Sequence, residues 1–152
     1  MNRFRTLALI FLIGFLVVGQ VVFSQSDSEN ENPESTPSEG LGFFTEGQVE
    51  PGFKVYDLHC AICHGYTLMS GEMGGPPVTG TYFFTRWGGK TVGELLTFIQ
   101  AAMPFGQGNT LTATEYADVT AYILNFNKFP AGEVALAADS EVLTQVIVQP
   151  GE

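Results

Sequence analysis

Three regimes of hydrophobic patterning succeed one another along the chain. Residues 7–23 form an apolar run, weakened as a helix by Gly14 and Gly19. Residues 25–50 turn to Ser, Glu, Asn and Pro, acidic and without Lys or Arg. Such a stretch buries too little apolar surface to offset the entropy of ordering, so it reads as a disordered linker. Leu41, Phe43 and Phe44 near its end are candidates to dock on the globular region after it. Only from Pro51 onward do apolar residues recur at helical spacing.

That spacing predicts three helices. The first opens at Pro51, a favoured first-turn residue, and carries Phe53, Tyr56 and Cys60 on one face at i, i+3 and i+7. The second opens on a capping box, Thr91-x-x-Glu94, and presents Val92, Leu95, Leu96 and Ile99; it must stop before Pro104. The third opens on a second capping box, Thr112-x-x-Glu115, and presents Tyr116, Val119, Ile123 and Phe126. Lys128 falls in its last turn and Pro130 ends it. A Gly- and Pro-rich loop, residues 71–80, separates the first two, and no strand pattern of any length interrupts them. The fold class is therefore all-α. About 80 residues make a thin core, and domains this small usually need a staple.

Cys60-Ala61-Ile62-Cys63-His64 supplies one. Thiols at i and i+3 share a helix face, where they can form thioethers to the two vinyl groups of one porphyrin. His64 then falls under the iron as an axial nitrogen ligand. Three rivals compete with covalent haem. A redox dithiol wants a surrounding βαβ pattern, which is missing. A closed zinc site wants further Cys or His ligands, yet the chain holds only two cysteines and two histidines, and His59 adjoins Cys60. Plain burial of Cys60 and Cys63 leaves His64 unexplained.

Several separated positions then resemble class I c-type cytochromes, small all-helical monohaem electron carriers. Gly52 and Tyr56 stand eight and four residues before Cys60. In that family a glycine and an aromatic at those places pack the N-terminal helix on the C-terminal one, and Val119 and Tyr122 suit the facing pair. Gly75-Pro76-Pro77-Val78-Thr79-Gly80 is similar to the family's loop whose proline carbonyl accepts a hydrogen bond from the proximal histidine. By position, Pro76 would serve His64. The resemblance covers residues 51–130 and implies a cytochrome c fold, three main helices wrapped around one covalently attached haem c.

It also implies a distal methionine from a loop before the last helix, the place held by Met103-Pro104. A neutral thioether favours reduced iron and raises the potential. Met69 and Met73 are rivals, but the Pro76 loop should keep that segment on the proximal side, and core packing suits both. His59 should turn off the haem-facing stripe, toward a surface or capping role. Arg86 and Trp87 are both donors suited to a haem propionate; equally, Trp87 packs and Arg86 is solvated.

Charge and termini add the setting. The chain carries −10 overall, but residues 51–130 are nearly neutral, and the acidity lies in residues 25–50 and 131–152. That argues against nucleic acid as a partner. Arg3 and Arg5 before the apolar run, with Ser24 at a cleavage position, read as a signal peptide over residues 1–24, or as an uncleaved anchor. Either directs the chain out of the cytoplasm, where haem is attached to c-type cytochromes. The tail, residues 131–152, resembles one in monohaem cytochromes that accompany quinoprotein (PQQ-dependent) dehydrogenases. It should pack on the domain as a short helix or an extended segment.

These features imply a periplasmic electron carrier between a dehydrogenase, plausibly a quinoprotein, and a terminal oxidase, and not an enzyme by itself. One alternative is a membrane-tethered shuttle from a quinol-oxidising complex to an oxidase. Another is a haem-c sensor whose sixth ligand is labile.

Overall fold

The structure is a computed structural model and describes residues 42–149. The apolar run at residues 7–23, its cleavage site and Leu41 lie outside the described residues. Among the described residues, no helix is long and apolar enough to cross a membrane.

The architecture is all-α. A 3-10 turn at Glu46–Gln48 leads into α1 (Val49–His59), α2 (Ala61–His64), α3 (Gly80–Trp87), α4 (Val92–Ala102) and α5 (Ala113–Phe126). Helical structure thus begins before Pro51, which sits inside the first turn of α1. Both capping boxes form: Thr91 Oγ1 accepts from Glu94 N at 3.2 Å, and Thr112 Oγ1 accepts from Glu115 N at 3.2 Å. Each glutamate reaches back to the capping residue's amide at 2.8 Å. The α4 stripe Val92, Leu95, Leu96 and Ile99 is buried, as is most of the α5 stripe.

The sequence pattern missed α3. Its residues, Gly-Thr-Tyr-Phe-Phe-Thr-Arg-Trp, are mostly β-branched or aromatic and poor helix formers. Packing makes the helix: Phe83 and Trp87, one turn apart, are both buried. Phe83 and Phe84 meet Phe129 at 6.5 and 5.9 Å between ring centroids, and Phe129 also meets Phe43 at 4.7 Å. The segment before α1 is held by Phe43 N donating to Pro130 O (3.0 Å) and Gly132 N donating to Phe44 O (2.7 Å).

α1 and α5 cross at Gly52. A Cβ there would lie 1.9 Å from Asp118 O and 2.9 Å from Tyr122 Cβ, so only glycine permits the approach. The Tyr56 and Tyr122 rings then meet at a tilt, 5.2 Å between centroids. Phe53 corrects the expected α1 stripe. Its ring rests on Tyr122 at 5.6 Å, because the close crossing turns that position toward α5. Of the pair Val119 and Tyr122, Tyr122 meets Gly52, and Val119 is buried where it lines the central cavity.

α5 ends at Phe126, so Lys128 lies past the last turn, with φ of +70°. Phe129 N donates to Leu124 O (3.1 Å) in the reversal that closes the helix. The tail combines both forms the pattern left open. A 3-10 turn at Glu141–Thr144 is followed by an extended piece that bridges Val146 to Thr91. Leu136, Val142 and Ile147 are buried, and Ile147 N donates to Lys90 O (2.8 Å). The Gln48 side chain pairs with Leu136 as a strand backbone would, accepting from its N–H (2.8 Å) and donating to its carbonyl (2.9 Å).

Candidate haem site

α1, α2, α3, α4 and α5 enclose one cavity of about 320 Å³. Its lining includes Cys60, Cys63, His64, Pro76, Arg86, Trp87 and Met103, so every residue expected at the site from sequence reaches the same space. The walls are largely apolar, among them Phe83, Leu95, Ile99 and Ile123.

His64 is 9% exposed at the end of α2. Its Nδ1 lies 2.7 Å from Pro76 O. A carbonyl only accepts, so Nδ1 carries a proton, and Nε2 is the ring nitrogen left for a metal. The turn around it is tightly built. Gly65 has φ of +79°, and a Cβ there would lie 2.1 Å from Ser70 O. Gly75 passes so close to Cys63 O that a Cβ would sit at 2.6 Å. Tyr56 Oη donates to Gly65 O at 2.9 Å. Burial, then the nearby Cys60 and Tyr122, hold the Tyr56 phenol protonated far above its ordinary range, as a donor must be.

The Cys60 thiol differs from the reactive thiol of a redox dithiol. Burial, with Cys63 beside it, pushes the Cys60 thiol up to about 12. Redox Cys-x-x-Cys pairs need a lowered thiol pKa. Among the described residues, no three His, Cys, Asp or Glu side chains group as ligands for a metal ion, which removes the zinc alternative there.

Met103 follows α4 directly, with its N–H bonded to Ile99 O at 2.9 Å. Met69 and Met73 are 57% and 71% exposed, so neither is a core residue. They ride on the loop that returns from α2 over Gly71, outside the packed interior. Met73 still borders the cavity, as does His59, which is half-buried at the margin instead of turned away. The Arg86 guanidinium lies 5.1 Å from the Trp87 ring and 5.5 Å from Phe98, at the cavity edge.

Two positioning residues escape the periodic pattern. Asn127 donates to Val78 O (3.0 Å) and Ile123 O (2.9 Å) and accepts from Gly80 N (3.1 Å). It thereby ties the Pro76 loop to the end of α5. Periodicity places Tyr116 only on an apolar stripe, yet its hydroxyl donates to Met103 O at 2.9 Å. Polar contacts of this kind leave no periodic trace; an Asn at a helix end was the one available hint.

Comparison with known proteins decides the family. The family described as cytochrome c oxidase, cbb3-type, subunit III matches residues 47–123. The chain belongs to that family. As a member of a cytochrome c family, it carries a domain for electron transfer through covalently attached haem c. The donor set fits that group: two thiols, an imidazole with Nε2 free and a thioether share one apolar cavity. The matched region of this family member ends within α5 and leaves the tail outside.

A thiosulfate dehydrogenase of Stutzerimonas stutzeri (strain A1501) is 31% identical over 81 residues, covering 49% of this chain and 26% of that protein. A thiosulfate dehydrogenase of Psychrobacter arcticus (strain DSM 17307 / VKM B-2377 / 273-4) is 30% identical over 101 residues, covering 59% of this chain and 31% of its own length. The chain therefore aligns with about a quarter to a third of the length of these relatives. No solved structure matches it.

Proposed function

We propose that this chain is an exported one-electron carrier that accepts electrons from a periplasmic dehydrogenase and delivers them to a terminal oxidase. The haem, when bound, supplies Fe(III)/Fe(II) cycling. Cys60 and Cys63 would anchor it, His64 and Met103 would hold its iron, and the Pro76 carbonyl would orient His64. The reading rests above all on one observation: Met103 and a His64 with Nε2 free line the same apolar cavity. Donors from His64 and Met103 together would leave a substrate no place at the metal, which supports transfer as the role. A mixed nitrogen and thioether pair favours the reduced state.

The family's description, that of a terminal oxidase subunit, supports an oxidase as the acceptor. Two donor classes have support. The tail's resemblance favours a quinoprotein dehydrogenase, and the relatives' names favour an enzyme that oxidises thiosulfate. Retention of residues 7–23 would make the same carrier a tethered shuttle.

The test is an optical spectrum of protein produced with haem-maturation machinery. A sulfur-to-iron band near ~695 nm in the ferric form, and no CO response when reduced, is expected. Met103→Ala should abolish the band and admit CO. A wild-type protein that lacks the band and binds CO readily would overturn the carrier in favour of a ligand sensor.

A further inference from the structure

The loop between α4 and α5 carries Met103 at its start. It is fastened to itself and to α4 by local bonds: Gln107 N to Pro104 O (2.7 Å), Thr110 Oγ1 to Gln107 O (2.7 Å) and Asn109 N to Gln100 O (2.8 Å). Gly108 lies against α4 so closely that a Cβ would sit 2.0 Å from Ala101 O. The Asn109 bond ties the far part of the loop to the last turn of α4, but none of these bonds reaches the Met103 carbonyl.

One side chain does. The Tyr116 hydroxyl donates to Met103 O at 2.9 Å, and it accepts from Thr110 N at 3.1 Å and Leu111 N at 3.4 Å. A phenol has one proton to donate and two lone pairs. All three are used, one on the first residue of the loop and two near its last. The ring itself is 1% exposed on the first turn of α5. The capping box at Thr112 fixes where that turn begins, and so where the hydroxyl points. The phenol is a buried pin through the base of the methionine loop.

We infer that Tyr116 is a positioning residue that sets how readily Met103 leaves the iron. The inference deepens the carrier reading and rests on Met103 as the axial ligand. An electron carrier needs both ligands kept through each redox cycle. A methionine on a loop is only as firm as that loop, because a thioether to ferric iron is a weak bond. Removing the hydroxyl frees the Met103 carbonyl and two amides together. Each such bond contributes about a factor of five in the opening equilibrium. Partial replacement by water leaves an expected effect of about tenfold or more.

The experiment measures imidazole binding to the ferric holoprotein, since imidazole enters only when the methionine has left. Tyr116→Phe keeps the ring and its burial. It should bind imidazole about tenfold faster than wild type and weaken the ~695 nm band. Gln48→Ala is the control. It loses the bonds to Leu136 in the tail and to Asp118 on α5, none of them to a residue of the methionine loop, so it should lower thermal stability while keeping the wild-type imidazole rate. An unchanged rate in Tyr116→Phe overturns the proposal, as does an equal acceleration in Gln48→Ala, which would reduce the effect to global stability. Hydrogen exchange on wild-type holoprotein tests it without a substitution: the Thr110 and Leu111 amides should be protected, and free exchange at both overturns it. If Met103→Ala retains the band, the ligand assignment itself falls, a result that these variants distinguish from failure of the pin alone.

Discussion

Gly52→Ala puts a single methyl group where α1 meets α5. The ideal Cβ lies 1.9 Å from Asp118 O, a backbone atom that no rotamer change can move aside. Carbon and its neighbours settle at ~3.5 Å, so the helices must part by roughly 1.5 Å at the crossing. Overpacking of this kind costs about 1–3 kcal/mol, and a backbone clash belongs at the upper end. Alanine returns about 1 kcal/mol through its better helix propensity. The net loss is then about 2 kcal/mol, or roughly 10 °C in Tm for a domain of this size. The separation also pulls Tyr56 from Tyr122, now 5.2 Å apart, and Tyr56 holds the turn after His64 through Gly65. Thermal melts of the holoprotein by far-UV circular dichroism measure the effect. Gly47→Ala is the control, since its nearest neighbour is Thr45 Oγ1 at 4.0 Å. A Gly52→Ala protein melting at or above wild type would refute a backbone-to-backbone crossing.

Asn127→Ala removes three hydrogen bonds at the junction of the Pro76 loop with α5 and should cost about 2–3 kcal/mol, read as a lower denaturant midpoint. Because Pro76 orients His64, its reduction potential should shift as well, and an unchanged potential would confine Asn127 to stability. Acid sensitivity should involve the two capping boxes. Bonds to the Thr91 and Thr112 amides hold the Glu94 and Glu115 carboxyls below their ordinary 4.5. Their contribution is present above that value and is lost as pH falls through the lower folded values. Glu94→Gln with Glu115→Gln, which keeps the capping geometry, should flatten that acid limb in stability measured against pH.

The sequence made some of this fold readable for specific reasons. Thr91 and Thr112 announced α4 and α5 because a capping box is local and chemical, and the apolar stripes behind them have one buried face. Cys60, Cys63 and His64 were readable because their chemistry needs contiguous spacing. α3 was hidden because its helix comes from packing Phe83 and Trp87, against the preference of its own residues. Met69 and Met73 fit a core role by composition alone, yet their loop carries them outward. Tyr116 and Asn127 act through hydroxyl and amide groups, while periodicity registers only whether a position is apolar.

The pairing of Phe43 and Phe44 with Pro130 and Gly132 has an architectural consequence. Chain going in and chain coming out pass side by side, joined by two backbone hydrogen bonds. A unit whose ends adjoin can sit as a cassette in a longer polypeptide without stretching its host, as a bead hangs from a doubled thread. Relatives more than three times the aligned length accommodate a region of this kind. Any such insertion would have to leave the strap after Gly132 free to lie across the start of α4, where Ile147 meets Lys90. The doorway is fixed at Phe43, and what a host can vary is the length of thread beyond it.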